Sequence, residues 1–358
     1  MPLLHVVISA HGYGHLSQIA PVINGLHGAV AGLDVTVQTE IPRALVEKRL
    51  DCPFRQVART ADIGMLMDGP TVIRWEESLR AYQAFHRDWE SHMEEQTAIF
   101  SANRPDLVLT DIPCLPLVAA KSLGIPAVAY SSLNWVDIIE VNERIADRMR
   151  PELAAMRDAY RQADCFIQPE PSMPMPWLER RCPVGPVMLV GENIRPRIDA
   201  DLGLAPGDRL VLVSLGGIPL ADRLECWPAL PGVHWMIADS AARERDDVHL
   251  WDEEKYRFID VLASADLVIT KPGYGMFTEI AAVGLPALNI ARPDWGESAV
   301  LEQWLGARTA LRTIPLEQLL AGDIAAEVVE LLAAGRAAPT PPTGIDEAVA
   351  LLQAYFGT

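Results

Sequence analysis

The sequence predicts an α/β protein made of two Rossmann-like parallel-sheet domains that face each other across a cleft. Short apolar runs alternate with segments of helical spacing in both halves of the chain, as in parallel strands joined by crossover helices. Glycine-containing or acidic loops follow four of these strands, at 10–15, 111–113, 215–219 and 271–276. Because ligands bind at the carboxyl ends of such strands, we expect these loops to line one cleft.

The first half of the chain predicts five strands with helices between them. A long loop covers 60–70, and repeated prolines at 169–176 exclude regular structure because each removes a hydrogen-bond donor. The predicted strands lie at 3–9, 34–38, 105–111, 126–130 and 164–168, and the helices at 16–30, 41–50, 75–103, 115–123 and 136–162. Residues 1–185 therefore form the predicted N-terminal domain.

The second half begins after a stretch without hydrophobic period at 186–204, which we interpret as an interdomain linker. The predicted C-terminal domain covers 205–340. Its strands are predicted at 209–214, 233–237, 267–269 and 286–290, and its helices at 276–283, 298–305 and 315–333. Residues 341–358 include an amphipathic helix at 346–356, positioned to cross back onto the N-terminal domain.

Composition limits the classes of partner. The formal net charge of −18 argues against nucleic acid, since phosphate backbones demand clustered Lys and Arg. No apolar run approaches the ~20 residues of a membrane span and the start lacks a signal-peptide pattern, so we expect a cytoplasmic protein. The five cysteines at 52, 114, 165, 182 and 226 are scattered, which predicts free thiols without a disulfide or a zinc site.

The stretch at 270–286 predicts a ligand site. It has the pattern of a strand end, a glycine turn and a helix start. Gly273 and Gly275 let the backbone approach a ligand closely, and the free N–H groups of a helix start attract phosphate. Glu279 lies about one turn into the helix, where its carboxylate can accept hydrogen bonds from paired hydroxyls. A ligand that carries both phosphate and a vicinal diol is a nucleotide.

Two motifs carry a resemblance to a known family. The run GYGMFTEIAAVGLP at 273–286 resembles the nucleotide-sugar signature of GT-B glycosyltransferases, especially the peptidoglycan N-acetylglucosaminyltransferase branch, and HGYGH at 11–15 resembles their first glycine-rich loop. KPGYG at 271–275 and RPD at 292–294 are also similar to the amino-terminal half of plant L-arabinokinases. The resemblance implies a GT-B fold, with an acceptor bound by the first domain and a nucleotide sugar by the second.

The resemblance also implies roles for individual residues. Glu279 would bind the ribose hydroxyls, and Ile259 and Phe258 the nucleobase. Apart from the resemblance, Lys271 is placed either to steady the charge of the diphosphate or to be a solvated surface lysine. The sequence departs from the family where Lys271-Pro272 replaces its arginine-serine and where 294–297 replaces a Gln-rich loop. The remaining residues assigned to the nucleotide sugar are Gly14, Gly216, Gly217, Gly273, Gly275, Met276, Phe277, Asp294 and Glu297.

A histidine and an aspartate are the predicted catalytic residues. The resemblance places His15 near the transferred sugar and the acceptor, where it would remove the acceptor's proton, and places Asp111 beside it. Each residue also has a plain structural interpretation: His15 as a solvated or capping histidine, Asp111 as a helix cap, Glu279 as a helix-start acid. The nearby GxGxxG-like run at 12–17 ends in Ser17, which does not fit a dinucleotide fingerprint.

These observations favour a glycosyltransferase that uses a nucleotide sugar, with a UDP-sugar as the expected donor and an unidentified acceptor. An inverting reaction is expected because a base on the acceptor side, His15, permits a single in-line displacement. We expect the reaction to need neither a metal nor a cofactor. A nucleotide-sugar hydrolase and an epimerase of the same fold are alternatives, because architecture does not fix chemistry. A module that binds a nucleotide sugar without turnover is an alternative of another class.

Overall fold

Parallel strands form the sheet of the N-terminal half in the computed structural model, which describes residues 1–69, 71–216, 226–237 and 245–357. The strands of this half are β1 (Leu3–Ile8), β2 (Asp34–Gln38), β3 (Arg55–Val57), β4 (Met67–Asp68), β5 (Val72–Ile73), β6 (Leu107–Asp111), β7 (Ala127–Tyr130), β8 (Cys165–Pro169) and β9 (Arg181–Val184). Seven of them are parallel in the order β3-β2-β1-β6-β7-β8-β9, whereas β4 and β5 pair antiparallel with each other. The central strands are buried on both faces, which explains their continuous apolar runs.

Helices cover both faces of this sheet. Asn134 and Asn142 begin two of them, since each side chain accepts a backbone N–H of the first turn. Pro151 lies in the first turn of another, where a missing N–H breaks no bond. The helices of this half are α1 (Tyr13–Ala29), α2 (Arg43–Glu47), α3 (Trp75–Arg87), α4 (Trp89–Asn103), α5 (Leu115–Ser122), α6 (Trp135–Glu140), α7 (Glu143–Arg148) and α8 (Arg150–Tyr160).

The C-terminal half forms a second parallel sheet. It follows α9 (Arg195–Leu202), and its strands are β10 (Arg209–Ser214), β11 (Val233–Ile237), β12 (Val248–Leu250), β13 (Leu267–Thr270), β14 (Ala287–Ile290) and β15 (Leu311–Ile314). Their order is β12-β11-β10-β13-β14-β15. The helices are α10 (Phe258–Ser264), α11 (Tyr274–Val283), α12 (Glu297–Gly306), α13 (Leu316–Ala321), α14 (Ala325–Ala334) and α15 (Gly344–Gln353). The prediction of two α/β parallel-sheet domains is confirmed.

Helix α1 joins the two halves. Its Gly25 lies against Val349 of α15, and Gln353 Nε2 donates to the carbonyl oxygen of Ala29 at 3.4 Å. A Cβ added at Gly275 in α11 would lie 4.0 Å from Cβ of Ser17 in α1. The last helix of the chain therefore packs on the N-terminal sheet domain, and the start of α11 faces the start of α1.

The prediction that all cysteines are free thiols is wrong for one pair. Cys165 and Cys182 form a disulfide with their Cα atoms 6.3 Å apart. They lie on β8 and β9, which are neighbours in the sheet. Because strand pairing brings together residues 17 positions apart in sequence, cysteine spacing alone did not predict this bond.

Several predicted boundaries also differ from the structure. The helix predicted at 75–103 is interrupted at Asp88, and the one predicted at 315–333 is interrupted at Gly322, whose φ is 75°. The predicted linker contains α9, and α1 begins at Tyr13 rather than at residue 16. Phe258 and Ile259, which the sequence predicts to lie just before a helix, are instead the first two residues of α10. Within the described ranges, no helix has both the length and the apolarity needed to cross a membrane.

Candidate active site between the two sheets

Two helix N-termini face the same space between the sheets. Helix α1 begins after Gly12 and helix α11 begins after Gly273, and both glycines have extended backbones that end a strand-to-helix turn. Neither helix has an acidic residue or a side-chain cap in its first turn. The first N–H groups of both helices are therefore left for a ligand, and the positive ends of both helix dipoles favour an anion there.

A cavity of about 500 Å³ lies between these helix starts. This volume is within the range of small-molecule sites in proteins. Loops that follow strands of both sheets line it, as expected for the ligand edge of parallel sheets. Of the predicted site residues, the structure brings together in this lining Gly14, His15, Gly216, Lys271, Gly273 and Glu297.

The predicted catalytic pair is hydrogen-bonded. His15 Nδ1 lies 3.0 Å from Oδ1 of Asp111, and the aspartate is fully buried at the end of β6. Because a carboxylate accepts, this bond places a proton on Nδ1 and leaves Nε2 as the free basic atom. Burial by itself lowers the pKa of His15, but the carboxylates of Asp111, Asp62 and Glu297 outweigh it and raise the pKa above its usual value.

Two further buried acids surround the histidine. Asp62 accepts a hydrogen bond of 2.7 Å from Nε1 of Trp135, whose ring lies 5.7 Å from that of His15. Glu297 accepts a 2.5 Å bond from Ser132 Oγ of the other domain and a 3.3 Å bond from Trp295 Nε1. Burial raises the pKa of both acids. Glu297 thus fixes the C-terminal loop to the N-terminal domain beside the histidine.

Two cations lie on the C-terminal side of the cavity. Lys271 follows β13, and its Cε would be 3.1 Å from a Cβ added at Gly216, so a side chain there would crowd it. Burial, with the nearby charge of Arg292, lowers the pKa of Lys271 to about 8. Burial also lowers the pKa of Arg292 to about 10. Neither side chain forms a hydrogen bond or an ion pair with any residue in the described ranges.

An aromatic stack forms the wall beside these groups. The guanidinium of Arg292 lies 4.3 Å from the centroid of the Trp295 ring, which is parallel to the ring of His11 at 5.5 Å. His11 Nδ1 accepts the backbone N–H of Met65 at 3.1 Å. Burial, with the charge of His15 and Arg292, lowers the pKa of His11 to about 3, so this ring stays neutral. It is a wall of the cavity rather than a proton acceptor.

Other predicted site residues lie outside the cavity lining. Glu279 is partly buried on the second turn of α11, and burial raises its pKa to about 7, opposed by the charge of Arg49. Phe277 is fully buried in the core, and Asp294 is exposed. Phe258 packs against Trp251 at 5.5 Å. Ile259, Gly275 and Met276 also lie outside the lining, and Gly217 lies outside the described residues.

The structure adds residues that the sequence did not indicate. Gln18 on α1 donates from Nε2 to Ser132 Oγ at 2.9 Å, which extends the network of Glu297. Asp62 lies in the long loop predicted at 60–70, where the sequence does not distinguish it from the other polar residues. Arg292 was within the RPD motif yet carried no assigned role. Only the tertiary contacts separate these residues from other polar loop positions.

Comparison with known sequences gives one relative. The chain is 23% identical over 305 residues to an L-arabinokinase of Arabidopsis thaliana, a match that covers 83% of this chain and 29% of that protein. The chain therefore spans less than a third of the length of that relative. No protein-family model matches the sequence.

Solved structures of glycosyltransferases share the fold over nearly the whole chain. The kitacinnamycin glycotransferase is 20% identical with a TM-score of 0.64, and the two chains are covered to 99% and 94%. The spinosyn rhamnosyltransferase SpnG complexed with thymidine diphosphate is 18% identical with a TM-score of 0.64 and coverage of 99% and 96%. A UDP-glucosyltransferase from Polygonum tinctorium is 16% identical with a TM-score of 0.61 and coverage of 100% and 99%. The architecture is the GT-B fold, and the resemblance to the peptidoglycan branch in particular is not confirmed.

Proposed function

We propose that the protein is a glycosyltransferase that moves a sugar from a nucleotide diphosphate sugar to an acceptor, with inversion and without a metal. The observation that carries the proposal is the cavity that brings together His15, bonded to Asp111, two uncapped helix starts and two cations. Its structural neighbours are glycosyltransferases, and one of them is complexed with thymidine diphosphate. A UDP-sugar is the donor with which we test the proposal.

The C-terminal domain would bind the donor. The free N–H groups at the start of α11 and the charge of Lys271 suit the diphosphate, and they stabilise the charge that develops on it as it leaves. Glu279 lies one turn further along α11, and its carboxylate has no hydrogen-bond partner among the described residues. It is therefore free to accept the two ribose hydroxyls.

The N-terminal domain would bind the acceptor and supply the base. His15 Nε2 takes the proton of the acceptor hydroxyl while that oxygen attacks the anomeric carbon and the bond to the diphosphate breaks. Asp111 holds the ring in the required tautomer and stabilises the imidazolium that forms. A base on the acceptor side permits a single in-line displacement, and such a displacement inverts the anomeric configuration.

Titration calorimetry with UDP tests the nucleotide site. We expect binding by the unaltered protein and a loss of about tenfold or more in affinity in Glu279→Ala, because two hydrogen bonds to a carboxylate are lost. Glu317→Ala removes an exposed acid from the first turn of another helix and serves as the matched control. Equal affinities in Glu279→Ala and in the control would contradict the ribose assignment.

A donor and acceptor screen tests the reaction. The proposal predicts release of UDP that depends on an added acceptor hydroxyl and yields a glycoside of inverted configuration, detected by mass spectrometry and NMR. Release of free sugar without an acceptor would identify a hydrolase. Nucleotide-sugar binding without turnover in a broad acceptor panel would identify a binding module.

A further inference from the structure

One charged side chain of the cavity is not explained by binding a nucleotide diphosphate. Arg292 lies in the loop after β14 and lines the cavity together with His15. Its guanidinium covers Trp295, Trp295 stacks on His11, and the His11 ring lies 6.4 Å from that of His15. Lys271, by contrast, lies beside Gly216 and the start of α11, where the diphosphate is proposed to bind.

The donors of Arg292 have no acceptor among the residues that the structure describes. Its Nε is buried without a hydrogen-bond partner, and no residue of the described ranges pairs with the guanidinium. Other arginines that are partly buried are paired: Arg195 contacts Asp199 and Asp266. A guanidinium nitrogen that is removed from water without an acceptor is costly, so the donors of Arg292 are expected to bind part of a ligand.

The neighbouring acids do not provide these acceptors. Glu297 is already bonded to Ser132 and Trp295, and Asp294 is exposed to solvent. Both carboxylates affect Arg292 only through their charge. Arg292 lines the same cavity as His15, so its guanidinium donors are left for a ligand bound there, such as the transferred sugar.

We propose that the transferred sugar is a uronic acid, whose carboxylate is bound by Arg292. This inference rests on the proposed function. The planar fork of an arginine binds the two oxygens of a carboxylate in parallel, a contact that the hydroxyls of a neutral sugar do not reproduce. The two cations then serve two anionic groups of one donor: Lys271 the diphosphate and Arg292 the sugar carboxylate.

Calorimetry with four ligands tests this assignment: UDP, UDP-glucose, UDP-glucuronate and UDP-galacturonate. We expect one of the two uronates to bind about tenfold or more tightly than UDP-glucose, because a charge-assisted pair replaces contacts to a neutral group. Arg292→Gln should abolish this preference and leave the affinity for UDP nearly unchanged. Lys271→Gln, the matched control from the same cavity, should weaken all four ligands by a similar factor and keep the preference.

Three outcomes separate the possibilities. Equal binding of UDP-glucose and both uronates by the unaltered protein would overturn the inference and leave the proposed function standing. An equal loss for UDP and for the uronates in Arg292→Gln would make Arg292 a diphosphate ligand, which also overturns it. Failure of UDP itself to bind would overturn the proposed function and this inference together.

A second variant covers the case in which Arg292→Gln does not fold, as judged by its thermal unfolding. Arg292→Lys keeps the positive charge and loses the paired donors, so the preference for the uronate should fall about threefold or more. A preference that is unchanged in Arg292→Lys would contradict binding by the guanidinium fork.

Discussion

The two sides of the cavity differ in how their charged groups are partnered. The N-terminal side places His15 between the buried carboxylates of Asp111 and Asp62, whereas the C-terminal side presents Lys271 and Arg292 beside the start of α11. The carboxylates are hydrogen-bonded within the protein, but the two cations have no such partner in the described ranges. The N-terminal side is thus preorganised by itself, whereas the C-terminal side would be completed by the anionic ligand proposed above.

This division explains how an acidic protein can bind an anion. The formal net charge of −18 is a property of the whole chain, whereas the ligand meets two helix starts and two local cations. The acids near the cavity are held away from the cations by the bonds that they make with Trp135, Ser132 and His15. Charge composition thus excludes nucleic acid more readily than it excludes a nucleotide.

The largest effect should come from removing the base on the N-terminal side. His15→Ala is expected to lower the acceptor-dependent release of UDP on the order of 10³-fold, because general base catalysis is lost. Its affinity for UDP, measured by calorimetry, should change little, since the nucleotide is held by the other side. His11→Gln is the control from the same wall; a similar loss of rate in both variants would argue against His15 as the base.

Removing the partner of the base should have the next largest effect. Asp111→Asn is expected to lower the rate on the order of a hundredfold, because the ring is less well oriented and its cation is less stabilised. The neutral form of His15 is the base, so activity is lost as the pH falls through its pKa. That pKa is raised by Asp111, and the acid limb of the pH–rate profile should therefore move to lower pH in the variant. An acid limb at the same pH in both proteins would contradict the effect of Asp111 on the pKa of His15.

The ionised form of the buried Glu279, on the C-terminal side, should lower the free energy of unfolding. Burial raises its folded pKa to about 7 from 4.5, so folding favours the protonated form. The stability that this shift contributes is present below the unfolded pKa and is lost as the pH rises through about 7. Glu279→Gln should therefore be more stable than the unaltered protein by on the order of 2 kcal/mol at about pH 8 and nearly equal at about pH 4. Urea unfolding at both pH values measures this, and a constant difference would contradict it.

The smallest effect should be the pH dependence that Lys271, beside the proposed diphosphate site, gives to UDP binding. The pKa of Lys271 is about 8 without ligand, so the side chain loses its charge as the pH rises above that value. Affinity for UDP should fall by about threefold to tenfold over this range in the unaltered protein. Lys271→Gln should bind more weakly at neutral pH and show no such fall. A similar fall in affinity in the unaltered protein and in Lys271→Gln would assign the pH dependence to another group.

Part of the site was predictable from the sequence because it depends on local chemistry. Glycines that precede a helix, a histidine between glycines and an acid at the end of an apolar strand all follow from short-range rules, so Gly273, His15 and Asp111 could be named. The positions of Gln18 and Ser132 could not, because nothing in their immediate neighbours marks them. Their importance comes from residues more than a hundred positions away, as in the bond from Ser132 to Glu297.

The alternation of strands and helices follows from the sequence alone, because buried strands and crossover helices have distinct hydrophobic periods. This alternation in turn implies the two parallel sheets and the edge of each sheet at which the cavity loops lie. The tertiary structure decided which groups meet. It paired His15 with Asp111 across 96 positions, joined Cys165 to Cys182 across two strands, and left Arg292 without a hydrogen-bond or ion-pair partner in the described part of the chain. These contacts depend on how the sheets and helices pack against each other, and the hydrophobic periodicity of the sequence does not predict that packing.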